Sequence, residues 1–189
     1  GMNPFRRVAV FGAGVMGAGI AGHIANAGVP VLLFDVTVEA AAAAIGRLRK
    51  SEPAALMHDR NASLITPCDT DSDMAKIADC DWIIEAIVER ADAKRDLYNK
   101  IAAARSPGTI ISSNTSTIRL AELVEGLPAD FAGDFLITHF FNPPRYMRLL
   151  EIAAGPETRA EAVAVIEHFA DLQLGKTPVR CKDTPGFIA

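Results

Sequence analysis

The sequence predicts an α/β protein: a doubly wound, mostly parallel sheet with an antiparallel extension near the C-terminus. Three observations predict it. Short apolar, β-branched runs alternate with helical stretches of roughly ten to fifteen residues, the pattern of repeated βαβ units. A glycine turn, Gly12-x-Gly14-x-x-Gly17, joins the first run to the first helix. Two later apolar runs are joined by a connection too brief for a helical crossover, so they must be antiparallel neighbours.

Each element follows from its residues. Arg7–Phe11 (RVAVF) is an apolar run that ends abruptly in glycine, as a buried parallel strand does. A helix rich in small residues follows over roughly Val15–Ala27, with Gly28 as its C-cap. Val31–Phe34 is the second strand, with Asp35 at its end. The alanine-rich segment Glu39–Lys50 has strong helix propensity and breaks at Ser51-Glu52-Pro53. Residues 53–81 are polar and mixed, with a short strand at Leu64–Thr66. Trp82–Val88 (WIIEAIV) is a buried strand running into Glu89, and Ala91–Arg105 is a helix stopped by Ser106-Pro107-Gly108. Then come a strand at Thr109–Ser113, a short helix at Thr117–Glu125, and the antiparallel strands Phe135–His139 and Met147–Ile152. A helix over Thr158–Leu172 and a strand at Thr177–Cys181 close the pattern. Trp82 and the phenylalanines read as core.

The glycine turn carries chemistry as well as shape. The first glycine permits the tight turn, and the second lets backbone approach a pyrophosphate. The third lets the helix lie against the sheet. The amides and macrodipole of the helix N-terminus face the phosphates. Asp35 stands near the roughly 20-residue spacing at which an acid meets the ribose. Its carboxylate accepts from a 2′-hydroxyl and repels a 2′-phosphate, which favours NAD over NADP. The alternatives are a structural glycine turn and a solvated strand-end acid. Strand, glycines, helix and acid in this order form a Rossmann-type dinucleotide site.

Bulk properties exclude several classes. At 189 residues, half of them hydrophobic, the chain can bury one well-formed domain. A net charge of −4 without a basic cluster argues against a nucleic-acid partner. The apolar run after Arg6-Arg7 is broken by spaced glycines, His23 and Asn26, so neither a signal peptide nor a membrane span is expected. Cys68, Cys80 and Cys181 are odd in number and widely spaced, with no C-x-x-C. The four histidines show no ligand spacing either. No disulfide framework or metal site follows, and a cytoplasmic location is expected. Gly1 reads as a residue ahead of a natural start at Met2.

Two constellations could act on a substrate. With the turn centred near Arg145, His139 and Glu151 fall opposite each other, and such pairs have Cβ atoms about 5 Å apart. A carboxylate holds a histidine in one tautomer and stabilises its cation. That suits a base taking a hydroxyl proton while hydride leaves the same carbon; the alternative is a structural pair. Ser112–Thr117 (SSNTST) leaves a strand at the edge where ligands sit in doubly wound sheets. Its hydroxyls and amide could meet nicotinamide or a substrate oxygen, or Ser116 or Thr117 could simply cap the next helix.

The motifs G-A-G-V-M-G-A-G-I-A, E-A-I-V-E, S-N-T-S, H-F-F-N-P-P and C-K-D-T-P-G-F-I occur in order across residues 6–189. In this the chain resembles the NAD-binding domain of (S)-3-hydroxyacyl-CoA dehydrogenases. The resemblance implies NAD-dependent oxidation of an (S)-3-hydroxyacyl-CoA to the 3-oxoacyl-CoA, a step of fatty-acid β-oxidation. It implies that His139 is the catalytic base, Glu151 its orienting partner, and Ser116 a contact to substrate oxygen and nicotinamide. It places cofactor contacts at Gly12, Gly14, Val15, Met16, Gly17, Asp35, Ala86, Glu89, Lys94 and Asn114. Asn142, with Ser116, is expected to touch substrate.

Two departures accompany the resemblance. The family continues into a helical domain carrying a catalytic asparagine and most of a dimer interface. This chain stops at Ala189, where that asparagine would be next. Residues 2–189 are therefore expected to form the NAD-binding domain alone, a homodimer only within a fuller chain, and to bind NAD without turnover by themselves. The stretch from Asp35 to Trp82 is also shorter than in stand-alone members, whose helical hairpin there contacts CoA. With N-P-P-R-Y-M-R-L-L-E, this is similar to long bacterial fusions with an enoyl-CoA hydratase. Three alternatives remain. A 6-phosphogluconate-type β-hydroxyacid dehydrogenase needs a catalytic lysine and often NADP, which Asp35 and His139/Glu151 oppose. A gulonate-type enzyme shares the base, and a non-catalytic NAD-binding module shares the cofactor site.

Overall fold

The first strand, β1 (Val8–Phe11), is buried along its whole length, as its unbroken apolar sequence requires. In the computed structural model, which describes residues 5–182, it lies inside an eight-stranded sheet. The chain continues through α1 (Val15–Asn26), β2 (Val31–Asp35), α2 (Val38–Arg49), β3 (Ile65–Asp69), β4 (Trp82–Glu85), α3 (Ala91–Ala104) and β5 (Ile110–Ser113). It ends in α4 (Leu120–Leu123), α5 (Ala129–Gly133), β6 (Phe135–His139), β7 (Leu149–Ala154), α6 (Ala160–Leu172) and β8 (Thr177–Arg180). The strand order is β3-β2-β1-β4-β5-β6-β7-β8. Every adjacent pair is parallel except β6/β7, where His139 lies opposite Glu151 as the hairpin spacing predicts.

Successive strand residues feed opposite layers. Val8, Val10, Leu33, Trp82 and Ile152 pack with Ile20 and Ile24 of α1 and Phe169 of α6. Ala9, Phe11, Phe34, Ile83 and Phe135 pack with Tyr98 and Ile101 of α3 and Phe131 of α5. The order of strands reverses between β1 and β4, because β2 continues to one side of β1 while β4 and β5 extend to the other. Ligands in doubly wound sheets bind in the crevice at the carboxyl ends of such strands. Here those ends are Phe11, Glu85, Ser113 and His139.

Several elements differ from expectation for identifiable reasons. β4 stops at Glu85 rather than Val88, because the Glu85 carboxylate itself accepts the Ile87 amide at 2.9 Å. The helix expected at Thr117–Glu125 shrinks to α4, because Thr115 Oγ1 takes up the Thr117 and Ile118 amides in a turn. Neither Ser116 nor Thr117 caps a helix. α5 has five residues, too few to show a periodicity, and went unpredicted. In the stretch 53–81 the strand expected at Leu64–Thr66 runs on as β3 to Asp69, an edge strand and therefore able to hold Pro67, and two 3₁₀ turns flank it. β7 starts at Leu149 because Tyr146 and Met147 donate their amides to the Pro143 carbonyl in the hairpin turn.

Candidate active site

The glycine loop shows which glycines serve the fold and which leave room. Gly12 adopts φ +103°, a left-handed conformation, and a Cβ there would strike the Ala86 carbonyl. A Cβ on Gly17 would strike the carbonyl of Gly12, so α1 can approach the loop only with glycine at that position. A Cβ on Gly14 would meet nothing within 4 Å. Gly14 is the N-cap of α1 with no side-chain cap, and the first turn carries no acid. Open space beside unsatisfied helix amides is what an approaching phosphate requires.

Asp35 fixes the other side of this loop. Its Oδ2 accepts the Ala13 amide at 2.9 Å and its Oδ1 the Val36 amide at 2.6 Å. A carboxylate retains further lone pairs after two such bonds, so it can also accept from a ribose hydroxyl. Open space at Gly14, uncapped amides and a strand-end carboxylate together fit a dinucleotide with a 2′-hydroxyl.

Beyond the loop, a cleft of about 370 Å³ opens at the carboxyl ends of β4, β5 and β6. It is lined by Met16, Ala86, Glu89, Lys94, Asn114, Ser116, His139 and Asn142, among others, and so gathers eight of the expected site residues. Gly14 and Val15 instead face an adjoining cleft of about 450 Å³, which also touches Asn142. Gly12, Gly17 and Asp35 belong to the framework of the loop. A larger cleft of about 780 Å³, bordered by Arg7, Asp79 and Arg159, contains none of the expected residues.

His139 and Glu151 meet as cross-strand neighbours, with Nδ1 3.0 Å from Oε1. Both side chains are largely covered, at 17% and 9% exposure. Phe141 packs edge-on against the imidazole, its ring centroid 4.5 Å away. With Nδ1–H donated to the carboxylate, Nε2 is the basic nitrogen. Glu151 stands behind the histidine; Cys181 donates its thiol to Oε2 at 3.6 Å. Asn114 accepts the Phe140 amide at 2.8 Å, tying the β5 loop to the strand that carries His139.

A buried polar cluster beneath the cleft escaped sequence reading. Glu85, fully buried, accepts from Lys94 Nζ at 2.5 Å, from Ser113 Oγ at 2.6 Å and from the Tyr98 hydroxyl. Burial, then the adjacent Glu85 carboxylate, push the Tyr98 phenol well above its ordinary range, so it remains a donor. Lys94 is expected as a cofactor contact, yet it is almost wholly enclosed, held between Glu85 and Glu89. Burial alone would push the Glu89 carboxyl up. The Lys94 ammonium and the hydroxyls of Thr115 and Thr117 outweigh it and hold the carboxyl below its usual value. The one available signal was an acid inside the apolar run WIIEAIV.

The family model for the NAD binding domain of 3-hydroxyacyl-CoA dehydrogenase matches residues 7–184. The chain belongs to this family. A probable 3-hydroxyacyl-CoA dehydrogenase of Deinococcus radiodurans is 43% identical over 97% of this chain and 55% of its own length. A fatty acid oxidation complex subunit alpha of Pseudomonas syringae is 34% identical over 97% of this chain and 26% of its own. The crystal structure of an Escherichia coli 3-hydroxybutyryl-CoA dehydrogenase superposes with a TM-score of 0.85 at 34% identity, covering 97% of this chain and 39% of that one. The chain thus spans about half the length of the first of these relatives and about a quarter of the second. NAD is the cofactor of this domain family, and the loop, helix terminus and Asp35 fit it. No helix among the described residues is long and apolar enough to cross a membrane.

Proposed function

We propose that this 3-hydroxyacyl-CoA dehydrogenase domain provides the cofactor site and the base for oxidising an (S)-3-hydroxyacyl-CoA to the 3-oxoacyl-CoA in fatty-acid β-oxidation. The observation that carries this is the His139–Glu151 pair, placed beside Ser116 at the cleft on the carboxyl edge. The glycine loop, Val15 and Met16 would hold the pyrophosphate, and Asp35 the adenosine ribose. Ala86, Glu89, Lys94 and Asn114 would border the nicotinamide. When bound, NAD supplies the hydride acceptor. His139 takes the 3-hydroxyl proton at Nε2, and Glu151 holds the ring in that tautomer and stabilises the imidazolium. Ser116 donates to the substrate oxygen, and Asn142 lines the substrate side. Phe141 keeps water from the imidazole.

The relatives are longer, and we read residues 2–189 as the cofactor half of a protein completed by a helical domain, acting in the cytoplasm. Dimerisation belongs to the completed protein. The test is to mix the full-length protein with NAD and (S)-3-hydroxybutyryl-CoA and follow absorbance at the NADH band. NADH formation supports the reading. Formation with gulonate but not the thioester would replace it with the sugar-acid alternative.

A further inference from the structure

Ser116 lies between two threonines that reach the same carboxylate oxygen. Thr115 Oγ1 and Thr117 Oγ1 each donate to Oε2 of Glu89 at 2.9 Å. The other oxygen of Glu89 lies 3.2 Å from Nζ of Lys94, whose side chain is 1% exposed and paired with Glu85. A continuous chain of polar contacts therefore starts on β4, crosses α3, and ends on both sides of Ser116.

The arrangement is more than Lys94 needs. Glu85 already neutralises the ammonium, and a second carboxylate leaves the cluster with excess negative charge. Such an excess is tolerated where the extra carboxylate has donors of its own. The two threonine hydroxyls are those donors. Thr115 is buried and its hydroxyl oxygen also accepts the amides of Thr117 and Ile118 at 3.3 and 3.1 Å. Thr117 is exposed, so its hydroxyl has water as an alternative partner, yet it is turned inward onto Glu89. Two attachment points flanking one residue remove the backbone rotation that a single hydrogen bond would permit.

We propose that Thr115 and Thr117 are positioning residues that hold Ser116 in the wall of the cleft through their shared hold on Glu89. This rests on the reading of Ser116 as a substrate contact and gives Glu89 a task beyond bordering the cofactor. The test uses the full-length protein with Thr117→Val, which removes an exposed hydroxyl without disturbing the core, and Thr117→Ser, which restores it. Three quantities are measured: amide hydrogen exchange over residues 115–118, kcat with acetoacetyl-CoA, and NADH affinity by fluorescence.

Thr117→Val should speed exchange in that segment and lower kcat, each by about tenfold, the equivalent of one hydrogen bond to a charged group. NADH affinity should stay within about twofold, and Thr117→Ser should recover both losses. Unchanged exchange in the valine variant overturns the proposal. So do equal losses in the valine and serine variants, or loss of NADH affinity in step with kcat, which would tie the hydroxyl to the cofactor instead. A wild-type protein inactive on acetoacetyl-CoA contradicts the functional reading, and the exchange measurement then decides the positioning role by itself.

Discussion

Glu151 Oε1 lies 3.0 Å from His139 Nδ1 because residues 139 and 151 are directly paired across the only antiparallel junction in the described sheet. An antiparallel pair brings side chains into direct opposition on one face. A parallel neighbour would have needed a crossover of a dozen or more residues to deliver the carboxylate. The hairpin of β6 and β7 thus builds base and orienting partner from one short stretch of chain.

Glu151→Gln should lower kcat by about a hundredfold while leaving NADH affinity within about twofold, since general-base assistance contributes roughly 10²–10⁴ and the carboxylate acts only through the histidine. Steady-state kinetics of the full-length protein check it. A kcat within a few-fold of wild type would make the pair structural.

The glycines should separate by function. Gly17→Ala forces Cβ into the Gly12 carbonyl and should destabilise the domain by about 3 kcal/mol or prevent folding. Gly14→Ala has open space and should leave the urea midpoint nearly unchanged while weakening NADH binding at least tenfold. Equal stability losses in both variants would contradict the assignment of Gly14 to the ligand.

Asp35→Ser should weaken NADH binding by about tenfold, the value of roughly one hydrogen bond to a charged group, and should narrow the preference for NADH over NADPH. Competition titrations with the two cofactors read both effects. An unchanged preference would show that Asp35 serves only the Ala13 and Val36 amides it now accepts.

His23 makes stability depend on acid. Burial, then the nearby Lys176 charge, lower its pKa to about 4, and Nε2 donates to the Leu174 carbonyl at 2.9 Å. The unfolded chain binds a proton near pH 6.5, whereas the folded chain does so only near pH 4. Stability is therefore complete above pH 6.5 and falls as pH drops through that window, by about 3 kcal/mol from this group. His23→Gln should flatten the curve of urea stability between pH 6.5 and 4. An identical slope in the variant would contradict this.

Much of the frame was legible because it depends on local chemistry. β1, β2, β5 and β6 are apolar runs ended by glycine or polar residues, and the loop Gly12–Gly17 has one plausible geometry. The His139/Glu151 register followed from turn spacing alone. What stayed hidden depends on distant partners. Glu85 reads only as one residue inside the buried run WIIEAIV, and only α3 folding over it reveals Lys94 and Tyr98 as its partners. The role of Thr115 depends on Glu89 and on a turn that sequence patterns assign to a helix. The edge strand β3 is legible only as a short run at Leu64–Thr66, because Pro67 and pairing on one side leave it without the full apolar signature of its neighbours.

The most direct measurement is NADH consumption with acetoacetyl-CoA by the full-length protein and its His139→Gln variant, with NADH affinity measured alongside. Wild-type turnover that falls by at least a thousandfold in the variant, with NADH still bound at near wild-type affinity, is the expected result. Turnover that survives the substitution, or vanishes together with NADH binding, would contradict the assignment of His139 as the base.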